Sequence, residues 1–382
     1  MKEYLITDFG VQENCDKIQT LEFQKVLDMC RENGGKVVVP PGKFLVSSLR
    51  MWSDTTLYLM GGAQLIGSTD CNDYDVFDIP EGVTLYTDHQ AFDHDRKYYR
   101  RAIISAYGEK NISIIGEFNS LIDGMDCYDP DGEEHFRGPH GIFLSNCCDV
   151  LLKGYTIQRT GNFMHQTDNC ENVTMTNVTA LAGHDGIHLH KGRNFSITNC
   201  KFITGDDCIA GIGVNNAIIQ NCRFNTSCNV FRLGGSNILI ENCTADGPGY
   251  YPHRLSLYKS DNLSADIREG RHNTIVFFEF FASPRFKNCG TAKNIIIRNC
   301  NIDHVDRLIN YRKDDKQSLH LGMNLEEISF ENVNVTNLLR QSDIYSDETC
   351  PVTLRMKNVK MSFRDGENHP NFNLKDVNLI NE

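Results

Sequence analysis

Several things are scarce in this chain, and each scarcity closes off a class of protein. No run of 18 consecutive apolar residues occurs, so no segment reads as a membrane-spanning helix and no membrane partner is expected. Basic residues number 38 against 50 acidic, a formal charge of −12, and no basic stretch can track phosphates, which sets nucleic acid aside as a partner. Proline, at 10 of 382 residues, never clusters with serine into a linker, so no break in composition marks a second domain. Cys-x-x-Cys pairs are absent. The fifteen cysteines form an odd count in a long chain, which argues against structural zinc and against a disulfide scaffold alike. The opening residues, Met1 to Asp8, carry no apolar run of signal length, so the chain as written reads as cytoplasmic, although a trimmed secreted form would look the same.

What the chain has in quantity is a repeat. Asn172-Val-Thr-Met-Thr-Asn-Val178, Asn194-Phe-Ser-Ile-Thr-Asn-Cys200, Asn216-Ala-Ile-Ile-Gln-Asn-Cys222 and Asn237-Ile-Leu-Ile-Glu-Asn-Cys243 begin 22, 22 and 21 residues apart, each a short alternating run opened by asparagine. Fainter copies begin at Asn111, Asp149, Asn262, Asn294, Leu325 and Val352. A unit of this length is too short for a strand, a crossover helix and a return. The spacing therefore predicts an all-β solenoid, a right-handed parallel β-helix in which each coil pairs with the next around a continuous core. Leucine-rich repeats share the period, but their Leu-x-x-Leu-x-Leu spacing is missing. Cys200, Cys222 and Cys243 recur in step with Val178 and read as small apolar residues stacked inside the coils.

A different segment precedes the repeats. Thr20 to Arg31 places Leu21, Phe23, Val26, Leu27 and Cys30 at near-helical spacing, and Asn33-Gly34-Gly35 stops it, which predicts a capping helix over the open end of the solenoid. Lys36–Val46 and Thr56–Met60 read as the first coils. The chain is expected to be a single domain over 1–382, with the cap and first coils in 1–66 and the main coils with their inserted loops in 101–382. Longer gaps at 68–100, 126–139, 246–261, 268–290 and 304–323 read as loops that wall a cleft. Phe277–Phe281 reads as an apolar run that either packs on the coils or meets a second copy in a homo-oligomer. Trp52 and Tyr98–Arg101 read equally as sugar-stacking groups or as packing.

The repeat also aligns the chemistry. Thirteen residues after Asp149, Asn172, Asn194 and Asn216 stand Asn162, Asp185, Asp207 and Asn229, which the register places in one column. The preceding column reads Gly161, His184, Asp206 and Cys228; three positions on it reads His165, His188, Ala210 and Arg232. Strands lie ~4.8 Å apart, and an acidic column repels itself where an amide column bonds to itself, so Asp185, Asp206 and Asp207 are the candidate reacting groups. Consecutive strand residues face opposite ways; Asp206 and Asp207 can serve one cleft only across a bend, which Gly205 permits. The paired histidines His188 and His190, with His165 and His184 near in the register, also suit a metal, although strand histidines more often bond within a cleft.

These residues resemble a known family. Thr7-Asp8-Phe9-Gly10, Gly34–Gly42, Gly61–Ser68, Ile122-Asp123-Gly124, Gly183-His184-Asp185-Gly186 and Gly205-Asp206-Asp207-Cys208 are similar, in order, to motifs of polygalacturonase-type glycoside hydrolases, family 28, up to about Cys243. The resemblance implies a right-handed parallel β-helix and hydrolysis of a glycosidic bond with inversion in a pectin-like oligo- or polysaccharide. It makes Asp206 the general acid and gives Asp185 and Asp207 the activation of water, with no cofactor. The chain is a divergent case. The family's Asn-Thr-Asp is Gly183-His184-Asp185 here, and its His-Gly falls on Asn229-Val230, so His165, His184 or His188 stands in for the histidine. The Arg-Ile-Lys that grips a uronate has no clear copy; Arg232, Arg254 and Lys259 are the candidate cations. Two rival readings are a β-helix that binds carbohydrate without cleaving it and a uronate lyase or epimerase.

Overall fold

The computed structural model describes residues 2–83, 85, 98–131, 137–253, 272–282, 290–313 and 323–382. They fall into two compact units, one up to His188 and one from Leu189 onward. Both are built from coils of short strands, and the strand pairings among the described residues are parallel and nearly in register.

In the first unit, one ladder runs through Gly35–Val39, Thr55–Leu59, Lys110–Gly116, Cys148–Lys153 and Glu171–Thr176. A second runs through Leu49–Arg50, Ala102–Tyr107, His140–Ser145 and His165–Asp168. A third takes Gly42–Val46, Ala63–Gly67, Leu121–Asp123, Thr156–Gln158 and Thr179–Leu181. The helix spans Thr20–Asp28, three residues shorter than the apolar spacing predicts. It buries Phe23, Val26 and Leu27 and leaves Leu21 in solvent. Gln24 reaches strand Leu49–Arg50 from this helix, donating to the Arg50 carbonyl at 3.0 Å and accepting from its N–H at 2.8 Å. A side-chain amide thus satisfies a strand edge that would otherwise be open. Trp52 is packing: its indole N–H donates to Asp28 at 2.9 Å and its ring lies 4.5 Å from the guanidinium groups of both Arg31 and Arg50.

The second unit repeats the scheme. Arg193–Thr198, Ile209–Gln220, Asn229–Glu241, Ile295–Arg298, Glu327–Glu331 and Val352–Lys357 stack in one ladder. Asn229–Glu241 also pairs with Thr274–Phe280, which leads on to Val305–Arg312 and Ser342–Tyr345. Two of the expected loops therefore contain strands. Asn273 opens Thr274–Phe280 off the repeat spacing and without a left-handed turn, and Phe277 and Phe278 are both fully buried, so its pattern does not alternate as a half-exposed strand would. Phe231 meets Phe277 edge-on at 5.3 Å, which answers the question left by the apolar run: it packs on the coils. The faint copy at Asn262 lies outside the described residues.

The asparagines explain the period. Asn172, Asn194, Asn216, Asn237 and Asn294 have φ of 53–62°, and Asn177, Asn199, Asn221, Asn242 and Asn299 have 54–55°, so each coil turns twice through the left-handed region. Asparagine tolerates that region better than other residues with a Cβ. Its amide then bonds the neighbouring coil: Asn216 Nδ2 donates to Asn194 Oδ1 at 2.7 Å and Asn294 to Asn237 at 2.9 Å. Immediately after the second turn, Cys200, Cys222, Cys243 and Cys300 point inward, all buried and all free. Hydrogen bonds along this thiol stack, together with burial, push Cys222 upward from its ordinary pKa. Asn216→Ala should cost about 1.5 kcal/mol in urea unfolding, from the strained turn and the lost amide bond, whereas Asn216→Gly, which relieves the turn, should cost about half as much. Equal losses would show that the turn conformation contributes nothing.

Candidate active site

In the first unit, Asp185 and His188 form a pair. His188 Nδ1 lies 2.6 Å from Asp185 Oδ2, and the imidazole stacks on Phe163 at 4.4 Å between centroids. The Arg137 guanidinium lies 5.0 Å from the same Phe163 ring. Aspartate and ring together fix the imidazole in orientation.

His165 has a different fate from the one expected of a substrate-binding group. It is fully buried; Nδ1 donates to the Gly186 carbonyl at 2.8 Å, which leaves Nε2 to accept from the Tyr155 hydroxyl at 2.9 Å. Both nitrogens are committed inside the wall, so His165 does not touch substrate. His184 is fully buried as well, edge-on to Tyr128 at 6.4 Å. Side chains of this size at inward positions fill the coil; the register alone does not separate inward from cleft-facing.

In the second unit, the chain bends between strands Lys201–Thr204 and Ile209–Gln220, where Gly205 stands. Thr204 Oγ1 donates to the Asp206 carbonyl at 2.6 Å, and Thr226 Oγ1 donates to the same oxygen from the next coil. Asp206 Oδ1 accepts from the Asp207 N–H at 3.0 Å. The Asp207 carboxylate faces a different set of groups. Its Oδ1 accepts from the Asn229 N–H at 3.2 Å and from Asn229 Nδ2 at 2.8 Å, and Arg232 Nη1 lies 3.9 Å from Oδ2. Asp207 and Asn229 are thus neighbours across coils, and Ala210 pairs with Arg232 as the register requires. Arg232 itself lies over the Phe281 ring at 4.0 Å. Two hydrogen bonds and a nearby guanidinium suit the charged form of this carboxylate.

His253 was missed by sequence reasoning as a site residue, yet its Nε2 lies 3.5 Å from Asp206 Oδ1. The insert that carries it is tied down by groups of the coil beneath. Asn225 Nδ2 donates to the carbonyls of Asp246 at 2.8 Å and Pro248 at 3.0 Å, Asn225 Oδ1 accepts from the Tyr250 N–H at 2.8 Å, and Ser227 Oγ donates to the Tyr251 carbonyl. The signal available in the sequence was the insert Gly247–Pro252 itself, directly before a histidine and one coil past the acids. Arg254 and Lys259 lie outside the described residues.

Comparison with known proteins relates this coil scaffold and its acidic residues to carbohydrate-active proteins. The family model described as Glycosyl hydrolases family 28 matches residues 62–228, somewhat under half of the chain. Over 128 residues it is 30% identical to the exo-poly-alpha-D-galacturonosidase of Dickeya chrysanthemi, covering 33% of this chain but only 19% of that protein. The family 28 exopolygalacturonase of Yersinia enterocolitica superposes with a TM-score of 0.71 over 99% of this chain and 78% of its own, at 18% identity. The hyperthermoactive exopolygalacturonase of Thermotoga maritima gives 0.69 over 100% and 90%, at 14% identity. At such identities the likeness is one of fold, and that fold is the right-handed parallel β-helix.

Burial holds two histidines of the first unit far below the ordinary value of 6.5. Burial alone lowers His165 to about 4, against a hydrogen bond to Gly186 that works upward; burial and then the Arg137 charge lower His140 to about 3. Both are neutral when folded, while the unfolded chain protonates them near pH 6.5. Their contribution is therefore present above that pH and is lost as pH falls toward 4. Urea unfolding should show stability declining between these limits by up to about 1.4 kcal/mol per pH unit per histidine. His165→Gln should flatten the decline, and an unchanged slope in that variant would contradict the assignment.

Proposed function

We propose that this chain hydrolyses a glycosidic bond in a pectin-like oligo- or polysaccharide by acid–base catalysis with inversion. The observation that carries the reading is the unequal treatment of two adjacent carboxylates. Asp207 receives two hydrogen bonds from Asn229 and faces Arg232, an environment for a carboxylate that takes a proton from water. Asp206 Oδ1 accepts from the Asp207 N–H and faces His253, a different set of groups, and we assign it the proton carried to the leaving oxygen. Asp185, the third aspartate of the family pattern, takes the water-activating role that the resemblance implies, and His188, bonded to Asp185, is the candidate for the histidine that Asn229 replaces.

Arg232 is the described cation best placed for a uronate carboxylate, its guanidinium held on the Phe281 face beside the acids. The names of the relatives favour removal of residues from chain ends, and the tied-down insert over Asn225 fits a cleft closed on one side. The whole reaction is proposed for a single domain. Fourteen described cysteines, all free, suit a reducing compartment such as the cytoplasm, where short imported oligosaccharides would be the substrate.

Oligogalacturonides incubated with the protein should yield new reducing ends and no absorbance from an unsaturated sugar. Asp206→Asn should lower kcat by about 10²–10⁴ while leaving the thermal midpoint in place. Unsaturated product would mark a lyase. Binding with no cleavage across acidic and neutral glycans would mark a carbohydrate-binding protein.

A further inference from the structure

We infer that Asp206, Cys228 and His253 form a binding site for a thiophilic divalent ion of the zinc class, and that the ion closes the hydrolytic centre by taking the general acid as a ligand. One potential ligand atom from each residue lies within 4.8 Å of the other two, and Asp206 Oδ1 and His253 Nε2 are 3.5 Å apart. Two donors on one tetrahedral ion at bonds of ~2.0 Å stand roughly 3.3 Å apart, so this pair needs little movement. Asp206 and Cys228 are neighbours through the register of successive coils, and His253 is brought to them by the anchored insert, which the register does not account for.

Two further contacts point to a ligand. His253 Nδ1 is buried with no hydrogen-bond partner among the described residues, so nothing there fixes the proton on Nε2, which remains able to ligate. Asn229 Nδ2 lies 3.5 Å from Cys228 Sγ, a donor that would support a thiolate. A carboxylate, a thiol and an imidazole make a donor set that selects zinc-like ions; calcium and magnesium prefer oxygen throughout. Three protein ligands leave the fourth tetrahedral position open.

Binding releases the Cys228 thiol proton to solvent, and an Asp206 oxygen on the metal no longer carries the proton the leaving group needs. The inhibitory half of the inference rests on Asp206 being the acid; the site itself rests on geometry alone. Cobalt(II), added to the chelator-treated full chain, tests the site without any substrate. One equivalent should produce a thiolate-to-cobalt charge-transfer band, displaced by zinc, retained in Cys148→Ser and lost in Cys228→Ser. His253→Gln, at a partly exposed position in the insert, should weaken cobalt binding by at least the roughly 10–100-fold that loss of even an outer-shell partner costs. A wild type with no band, a band undiminished in Cys228→Ser, or unaltered affinity in His253→Gln would overturn the site. In the reducing-end assay, zinc should inhibit the wild type, and Cys228→Ser should need at least about tenfold more zinc for the same effect. Equal sensitivity of the two would overturn the inhibitory half while the cobalt spectra still decide the site.

Discussion

Parallel in-register stacking of coils is the constraint on which the rest of each unit depends. A parallel ladder places residue i of one coil beside the residue one repeat later, so any column written into the sequence becomes a column in space. Register is held at the corners. Asparagines with left-handed backbone turn the chain twice per coil, and their amides bond from one coil to the next, as Asn216 does to Asn194. A slip of one residue would turn the inward Phe195, Ile197, Ala217 and Ile219 outward at once. The corner amides and the apolar columns therefore specify one alignment together, and neither would suffice alone.

That alignment generates chemistry because it makes neighbours of unlike residues. Asp207 and Asn229 stand one repeat apart in sequence, and in space Asn229 donates two hydrogen bonds to the Asp207 carboxylate. Asp206, adjacent in the chain, is turned by the bend after Thr204 toward a different partner, His253. Two carboxylates on consecutive residues thus acquire different surroundings with no long-range rearrangement, and the proposed division of labour between a proton donor and a proton acceptor rests on those surroundings. The thiol of Cys228 beside the same pair is what extends the site from sugar chemistry toward metal binding.

The legible part of this protein was the part that repeats. The corner asparagines, the inward cysteines and the pairing of Ala210 with Arg232 follow from counting, because equal spacing means equal environment in a coil; the helix follows separately, from its own apolar spacing. Strand Thr274–Phe280 was read as loop because it falls off the repeat spacing and is buried on both faces, which erases the alternation. His165 was placed at a cleft by column position, yet its side chain is engaged by Tyr155 and Gly186 inside the wall; a column fixes height along the ladder, not the direction of a ring near a bend. His253 escaped because its position comes from an insert tied to Asn225 and Ser227, contacts made once and not repeated.

The central claim is that the aspartates carry out hydrolysis by a single displacement with water as nucleophile. Time-resolved proton nuclear magnetic resonance of the first product from an α-linked oligogalacturonide tests it most directly. The account predicts that the β-anomer appears first and mutarotates later; first appearance of the α-anomer would require a covalent intermediate and would contradict it.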